Sequence, residues 1–395
     1  MRIVIAGGGL AGVSVCRELR ARGFGGEVVL LDREAGLPYD RPPLSKQLLK
    51  GTAEPEDILL PDAARLAEYE VDHRAGVTVS GLGDRVVALA DGAEVPFDGL
   101  VIATGAAARR VPGQPDVAGI HPLRTLADAL ALRGHLATAR DLVVIGGGFI
   151  GLEVAAAAVG QGVATTVVER DEVPLAHAIG PVAGGWMTDL HRDHGVRFAC
   201  GTEVSGFTVT DGRVRGVDLA DGEHLPADVV VVGVGAAPVT GWLGDAVPVA
   251  DGVVCDAGLR AAPRIYAAGD VARWQHPRFG SIRAEHWTTA VDHARTVATN
   301  LLAELETGVP GGKEAAEVPY FWTDQYDTKL QLAGWAGGHD RREVVEDGRA
   351  LLYGRGNRLV AALALNRPAF VARHRRAIAA GVSWREATEA VRRSR

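Results

Sequence analysis

Two stretches of the chain place chemically capable residues at telling intervals. The first is the run IVIAGGGLAG at 3–12, and it is duplicated as LVVIGGGFIG at 142–151. Each copy is followed by a small-residue segment and then by an apolar run ending in an acid and an arginine, LLDR at 30–33 and VVER at 167–170. Gly7 permits a tight turn, Gly9 lets backbone approach a diphosphate, and Gly12 lets helix and strand pack closely; Gly146, Gly148 and Gly151 repeat the spacing. A diphosphate would rest on the N–H groups at the helix start. An acid about 20 residues on, Asp32 in one copy and Glu169 in the other, would accept hydrogen bonds from a ribose diol and repel a 2′-phosphate. That chemistry selects NADH over NADPH, with Arg170 as a neighbouring positive charge.

The second stretch is PYDRPPLSK at 38–46, which follows only the first glycine turn. Proline pre-sets φ and lowers chain flexibility, so the segment can hold Arg41 and Lys46 above a bound cofactor; taken alone, it reads equally as a rigid surface turn. Glu153 by itself is an acid in the first turns of a helix, stabilised by the dipole. Arg124 by itself is a surface charge at a helix start, and Trp287 and Trp322 are by type core aromatics.

The elements needed to carry these residues are visible in the pattern. The continuous apolar runs are those of parallel strands buried on both faces, and 11–22 and 150–161 suit crossover helices. LVIATGA at 100–106 and VVVVGVGAAP at 229–238 read as closing strands, and IYAAGDVA at 265–272 returns to the same style. The expected fold is α/β, two interleaved Rossmann-like nucleotide-binding domains with a C-terminal α+β domain. Residues 1–112 and 238–317 are assigned to one domain, 113–237 to the other, and 318–395 to the third, where alternation over 351–365 suggests antiparallel strands.

Several chemistries are excluded. Only three cysteines occur among 395 residues, Cys16, Cys200 and Cys255, far apart and without a CxxC pair, so neither a local redox disulfide nor an iron–sulfur cluster held by this chain is foreseen. His121, His177, His191 and His194 lack a ligand arrangement; His191 and His194, three apart, read as a solvated helix face, and no metal is expected. No GxSxG nucleophile turn is present. Apolar content of 47% with 23% charged residues is ordinary for a soluble protein, no apolar run reaches roughly 18 residues, and a cytoplasmic protein without membrane partners is expected. The net charge is −7, yet residues 346–395 hold eleven arginines against Glu346, Asp347, Glu386 and Glu389, a balance of +7 that leaves −14 elsewhere. That basic patch suits a solvated face or a docking role; with an acidic total and no recognition motif, nucleic acid is not the expected partner.

PYDRPPLSK, the doubled glycine motif with GLE at 151–153, ATGA at 103–106, AAGDVA at 267–272, HWTTA at 286–290 and FWTDQ at 321–325 together resemble the FAD-containing NADH–ferredoxin reductases of oxygenase systems, which are glutathione-reductase-like flavoproteins. The resemblance spans nearly the whole chain. It implies FAD on the first unit and NADH on the second. It implies that Asp270 binds the ribityl chain, that Arg124 lies near the FAD diphosphate, that Trp287 and Trp322 line the flavin pocket, and that Phe149 covers the flavin until nicotinamide displaces it. It adds Arg33, Arg41, Val79, Ala103, Thr104, Gly105, Ile150 and Gly235 to the cofactor-binding set. It implies a Lys46–Glu153 pair beside the flavin N5, with Lys46, Glu153 and Trp322 as the catalytic group. Asp32 stands where the family more often has glutamate, Thr323 where serine is usual, and Val291 and Asp292 where amides are usual.

The implied function is hydride uptake from NADH and one-electron delivery to a small ferredoxin serving a monooxygenase or dioxygenase, with Arg373, Arg375 and Arg376, and the arginines of 392–395, as docking candidates. Two other readings stand beside it: an NADH-dependent reductase of a small acceptor such as a quinone, a radical or oxygen, and a flavin-loaded redox-sensing binding protein.

Overall fold

The apolar runs of the sequence become the centres of two parallel sheets. The computed structural model describes residues 1–345 and 348–393; Glu346, Asp347 and Arg395, counted in the basic balance, lie outside them. The chain divides into two compact units, one made of 1–40, 59–107 and 237–321, the other of 41–58, 108–236 and 322–395. The segment PYDRPPLSK is therefore shared, with Asp40 in the first unit and Arg41 onward in the second.

In the first unit a six-stranded sheet runs in the order Arg260–Ala262, Ile265–Ala267, Gly99–Ile102, Arg2–Ala6, Glu27–Asp32, Val71–Ala75. All its neighbours are parallel except the first pair. Ile3, Val4, Ile5, Leu100, Val101 and Ile102 are buried, as expected where both faces are covered. The helix Leu10–Ala21 turns its small residues inward and packs on the helix Trp287–Thr307. A three-stranded antiparallel sheet starts at Val79–Gly83. Ile265–Ala267 does return to this sheet, beside Gly99–Ile102.

The second unit repeats the plan with five parallel strands, Arg197–Cys200, Ala164–Glu169, Asp141–Ile145, Val229–Val232 and Ile120–His121. An antiparallel meander over Val204–Thr210, Arg213–Leu219 and His224–Pro226 closes the core, with Val214, Val217 and Leu225 packed against Val143, Val230 and Val232. The helix Phe149–Val159 is buried along most of its length, because its AAAA stretch lets it lie close to the sheet.

The C-terminal part has the expected antiparallel sheet, ordered Tyr320–Gln325, Thr328–Gly334, Arg358–Leu365, Ala350–Arg355, Arg341–Val345. The alternation over 351–365 does not divide wet from dry residues, however. Leu351, Leu352, Tyr353 and 359–364 are all buried, since the helix Pro368–Ala379 packs on the strand Arg358–Leu365, the helix Trp384–Arg393 meets both strands, and Tyr353 donates its hydroxyl hydrogen to Ile179 O at 2.6 Å. No helix among the described residues is long and apolar enough to cross a membrane.

Candidate functional site

The first glycine turn is shaped by close backbone approach. Gly7 has φ +119°, and a Cβ there would lie 2.1 Å from Ala103 O; one on Gly12 would lie 2.0 Å from Gly7 O. Strand and helix can meet this closely only with hydrogen in both places. Gly9 is the N-cap of Leu10–Ala21, without a side-chain cap, and a Cβ there would enter open space. Uncapped N–H groups facing open space are what a dinucleotide diphosphate requires, so the turn fits the FAD expected on this unit. The Asp32 carboxylate lies against Gly8, whose Cβ would come within 2.1 Å of it, and accepts the Glu34 N–H at 3.1 Å; Arg33 next to it is exposed. His73, which the sequence reading passed over, brings Nε2 to 3.9 Å from Asp32 Oδ2.

Other residues of this unit come from distant parts of the chain. Ala103 N–H donates to Ala6 O at 2.8 Å, Thr104 Oγ donates to Val239 O at 2.8 Å, and Gly105 takes φ +65°. Asp270 sits in the one-turn helix Gly269–Val271, whose Gly269 N–H donates to His293 Nδ1 at 3.3 Å. His293 is fully buried, and burial holds its imidazole down at about 3. Trp287 opens the helix Trp287–Thr307 and donates its indole N–H to Asp40 Oδ1 at 2.8 Å, tying down the start of the proline-rich segment. Val79, by contrast, stands half-buried at the head of the peripheral meander.

The second turn reproduces the first. Gly146 has φ +100° with a virtual Cβ 2.5 Å from Gly233 O, and on Gly151 it would lie 2.2 Å from Gly146 O. Gly148 is the uncapped N-cap, followed by half-buried Phe149 and exposed Ile150. Here the acid is clamped: Glu169 accepts the Gly147 N–H on Oε2 at 2.7 Å and the Asp171 N–H on Oε1 at 3.0 Å. Gly235, at φ +92°, gives its carbonyl to Arg109 N–H at 3.0 Å. This turn fits a second dinucleotide, the NADH of the sequence reading.

Within the same unit lies the group carrying Lys46. The one-turn helix Pro42–Ser45 ends at Lys46, its pitch set by two prolines at the start. Arg41 at its head donates from Nη1 to Arg124 O at 2.5 Å, and Arg124 precedes a capping box formed by Thr125 and Asp128. Lys46 Nζ lies 2.7 Å from Glu153 Oε1 and 3.2 Å from Pro42 O. Ser45 donates to Glu153 Oε2, and Thr323 donates to Oε1 at 2.5 Å. Glu153 is buried, so its carboxylate is desolvated but bonded on both oxygens, the condition under which a buried ion pair is tolerated. Ser45 was not singled out beforehand, because an isolated serine beside a lysine carries no pattern. Trp322, just before Thr323 in the strand Tyr320–Gln325, is half-buried.

One expectation is corrected. His191 is not on a solvated face: it is fully buried, with Nε2 2.7 Å from Gln325 Oε1 and Nδ1 3.0 Å from the Tyr326 hydroxyl, and burial lowers it to about 4. The strand Tyr320–Gln325 supplies that cover. His194 is exposed and stacks on Tyr326, ring centroids 3.6 Å apart. The candidate docking arginines differ in freedom: Arg373 and Arg376 are exposed and Arg375 is half-buried, while Arg392 is held by Glu343 at 2.9 Å and Arg393 by Glu389 at 3.2 Å.

Comparison with known proteins places these features. The family model described as pyridine nucleotide-disulphide oxidoreductase matches residues 1–294, and a reductase C-terminal model matches 320–392. Rhodocoxin reductase of Rhodococcus erythropolis is 39% identical over 388 residues, covering 93% of this chain and 87% of that protein. The ferredoxin–NAD(+) reductase component of the biphenyl dioxygenase system of Paraburkholderia xenovorans is 38% identical, covering 85% and 81%. The covalent putidaredoxin reductase–putidaredoxin complex superposes with a TM-score of 0.90 at 32% identity, covering 96% of this chain and 93% of that one. With both glycine turns, their acids and the C-terminal sheet accounted for across its length, the chain belongs to the pyridine nucleotide-disulphide oxidoreductases, among the ferredoxin reductases of oxygenase systems.

Proposed function

We propose that the protein is a cytoplasmic, FAD-dependent NADH:ferredoxin oxidoreductase that takes an electron pair from NADH and hands single electrons to a small iron–sulfur ferredoxin serving a monooxygenase or dioxygenase. The observation that carries the reading is the pair of equivalent glycine turns, each with uncapped helix N–H groups and an acid against its second glycine. FAD, when bound, supplies the exchange of a hydride for two single electrons.

In this reading Gly7, Gly9 and Gly12 hold the FAD diphosphate and Asp32 its ribose, with Ala103, Thr104, Gly105, Asp270 and Trp287 completing that side. Gly146, Gly148 and Gly151 hold the NADH diphosphate, and Glu169, kept in place by two backbone N–H groups, accepts from the adenosine ribose. Lys46 is the cation that acts on the isoalloxazine; Glu153 holds it and offsets its charge in a buried setting. The domain reading of 1–112 with 238–317, 113–237 and 318–395 follows these roles.

The electrons must leave the chain. Cys16, Cys200 and Cys255 are all free, and burial pushes the Cys16 thiol up to about 12, which removes a dithiol relay. Arg373, Arg375 and Arg376 are the proposed contact for an acidic ferredoxin. The test is stopped-flow reduction by NADH followed by mixing with candidate ferredoxins. The purified protein is expected to be yellow and to reduce a ferredoxin far faster than quinones or oxygen; colourless protein that cannot be loaded with FAD would refute the reading, and equal rates would favour a small-acceptor reductase.

A further inference from the structure

Behind the Lys46–Glu153 pair runs a series of hydrogen bonds whose donors all point the same way. Gln325 turns its Oε1, which can only accept, to His191 Nε2 at 2.7 Å, so the proton of the neutral ring is on Nε2 and Nδ1 is left to accept from the Tyr326 hydroxyl at 3.0 Å. The other end of the same amide, Gln325 Nε2, donates to Thr323 Oγ1 at 3.1 Å. Thr323, its acceptor side engaged, gives its hydrogen to Glu153 Oε1 at 2.5 Å, the same oxygen that lies 2.7 Å from Lys46 Nζ.

His191, Gln325 and Thr323 are each 0–1% exposed. A buried polar side chain is costly unless bonded, so three of them in sequence, each satisfied by the next, form a supported network whose members reinforce one another. An amide donates without passing a proton on. The series therefore orders the carboxylate and does not conduct protons to it.

We propose that Gln325 and His191 are positioning residues of the reaction, holding Thr323, and through it Glu153, so that the Lys46 ammonium is kept at one point. The inference rests on the reading that Lys46 acts on the flavin, and the experiment separates the two.

FAD-loaded Lys46→Met, Thr323→Val, Thr323→Ser and Gln325→Leu are compared with the parent for midpoint potential, NADH KM and the rate of reduction at saturating NADH. Expected are a lower potential in Lys46→Met and, for Thr323→Val and Gln325→Leu, a smaller fall in potential with a three- to tenfold loss in rate at unchanged KM. A tenfold loss of preference for the reduced state corresponds to a fall of about 30 mV for a two-electron couple. Thr323→Ser, which keeps the hydroxyl, should recover the parental potential. Parental potential in Thr323→Val and Gln325→Leu beside a shifted Lys46→Met overturns the positioning role alone; parental potential in Lys46→Met removes the reading beneath it. Should Gln325→Leu not fold, the valine–serine pair at 323 decides the Thr323 link, and His191→Gln, which keeps a donor toward Gln325, should match the parent in potential where His191→Leu does not.

Discussion

At the scale of single residues, the glycine turns are intolerant for a stated geometric reason. A Cβ on Gly12 would overlap Gly7 O at 2.0 Å, and backbone on both sides leaves nothing flexible to yield. Gly12→Ala is therefore expected to be isolated with little FAD, read from the ratio of flavin to protein absorbance, whereas Gly9→Ala, whose Cβ meets nothing within 4 Å, should fold and lose affinity only through crowding of the diphosphate. Glu169→Arg should relax the preference for NADH over NADPH and raise the NADH KM, because the Gly147 and Asp171 N–H groups lose their acceptor; an unchanged ratio of kcat/KM values would take Glu169 out of the ribose site. Gly7, Asp32, Glu169 and Lys46 were legible because each residue type answers a local demand, φ, charge or reach. His191 and Gln325 were not, since their importance comes from a contact with each other across 134 residues of chain.

Elements show the same division. The parallel strands could be read from continuous apolar runs, and the helix starts from glycines that no other signal explains. The fixing of the long helix Trp287–Thr307 could not. Near its end, buried Glu304 takes Arg260 in a fork at 2.7 and 3.2 Å, the Tyr266 hydroxyl at 2.8 Å and the Arg264 N–H at 3.1 Å, and these partners hold its carboxyl below the usual range against the opposing effect of burial. Removing one member of such a group strands the others. Glu304→Ala should cost about 3 kcal/mol of stability, measured by urea denaturation of the holoprotein, and should leave the NADH KM unaltered.

The molecule as a whole carries two further expectations. Burial lowers His121, His191 and His286 to about 4 and His293 to about 3, below an unfolded value near 6.5. The unfolded chain then binds more protons between about pH 6.5 and pH 4, so stability is full above pH 6.5 and falls as pH drops through that window. The Tm should be lower at pH 5 than at pH 7, and His293→Gln should flatten the dependence; a Tm indifferent to this change of pH would contradict it. Charge distribution gives the second. Arg373→Glu with Arg376→Glu should slow ferredoxin reduction more at low ionic strength than at high, because exposed charges are screened beyond about 8 Å at 0.15 M salt. The basic bias was readable from composition; which arginines are available was not, for Arg392 and Arg393 spend their charge on Glu343 and Glu389.

The spacing of the thiols has a practical corollary. Cys16 and Cys255 are enclosed, while Cys200 is partly accessible and lies directly across the sheet from Glu169 in the strand register. A maleimide dye should accordingly couple at Cys200 alone in the native protein, slowly, since burial and Glu169 raise that thiol, and peptide mass mapping would show the other two modified only after denaturation. The wild-type chain thus comes with its own reporter position, a few ångströms from the carboxylate that reads the dinucleotide, with no cysteine needing to be engineered in or out.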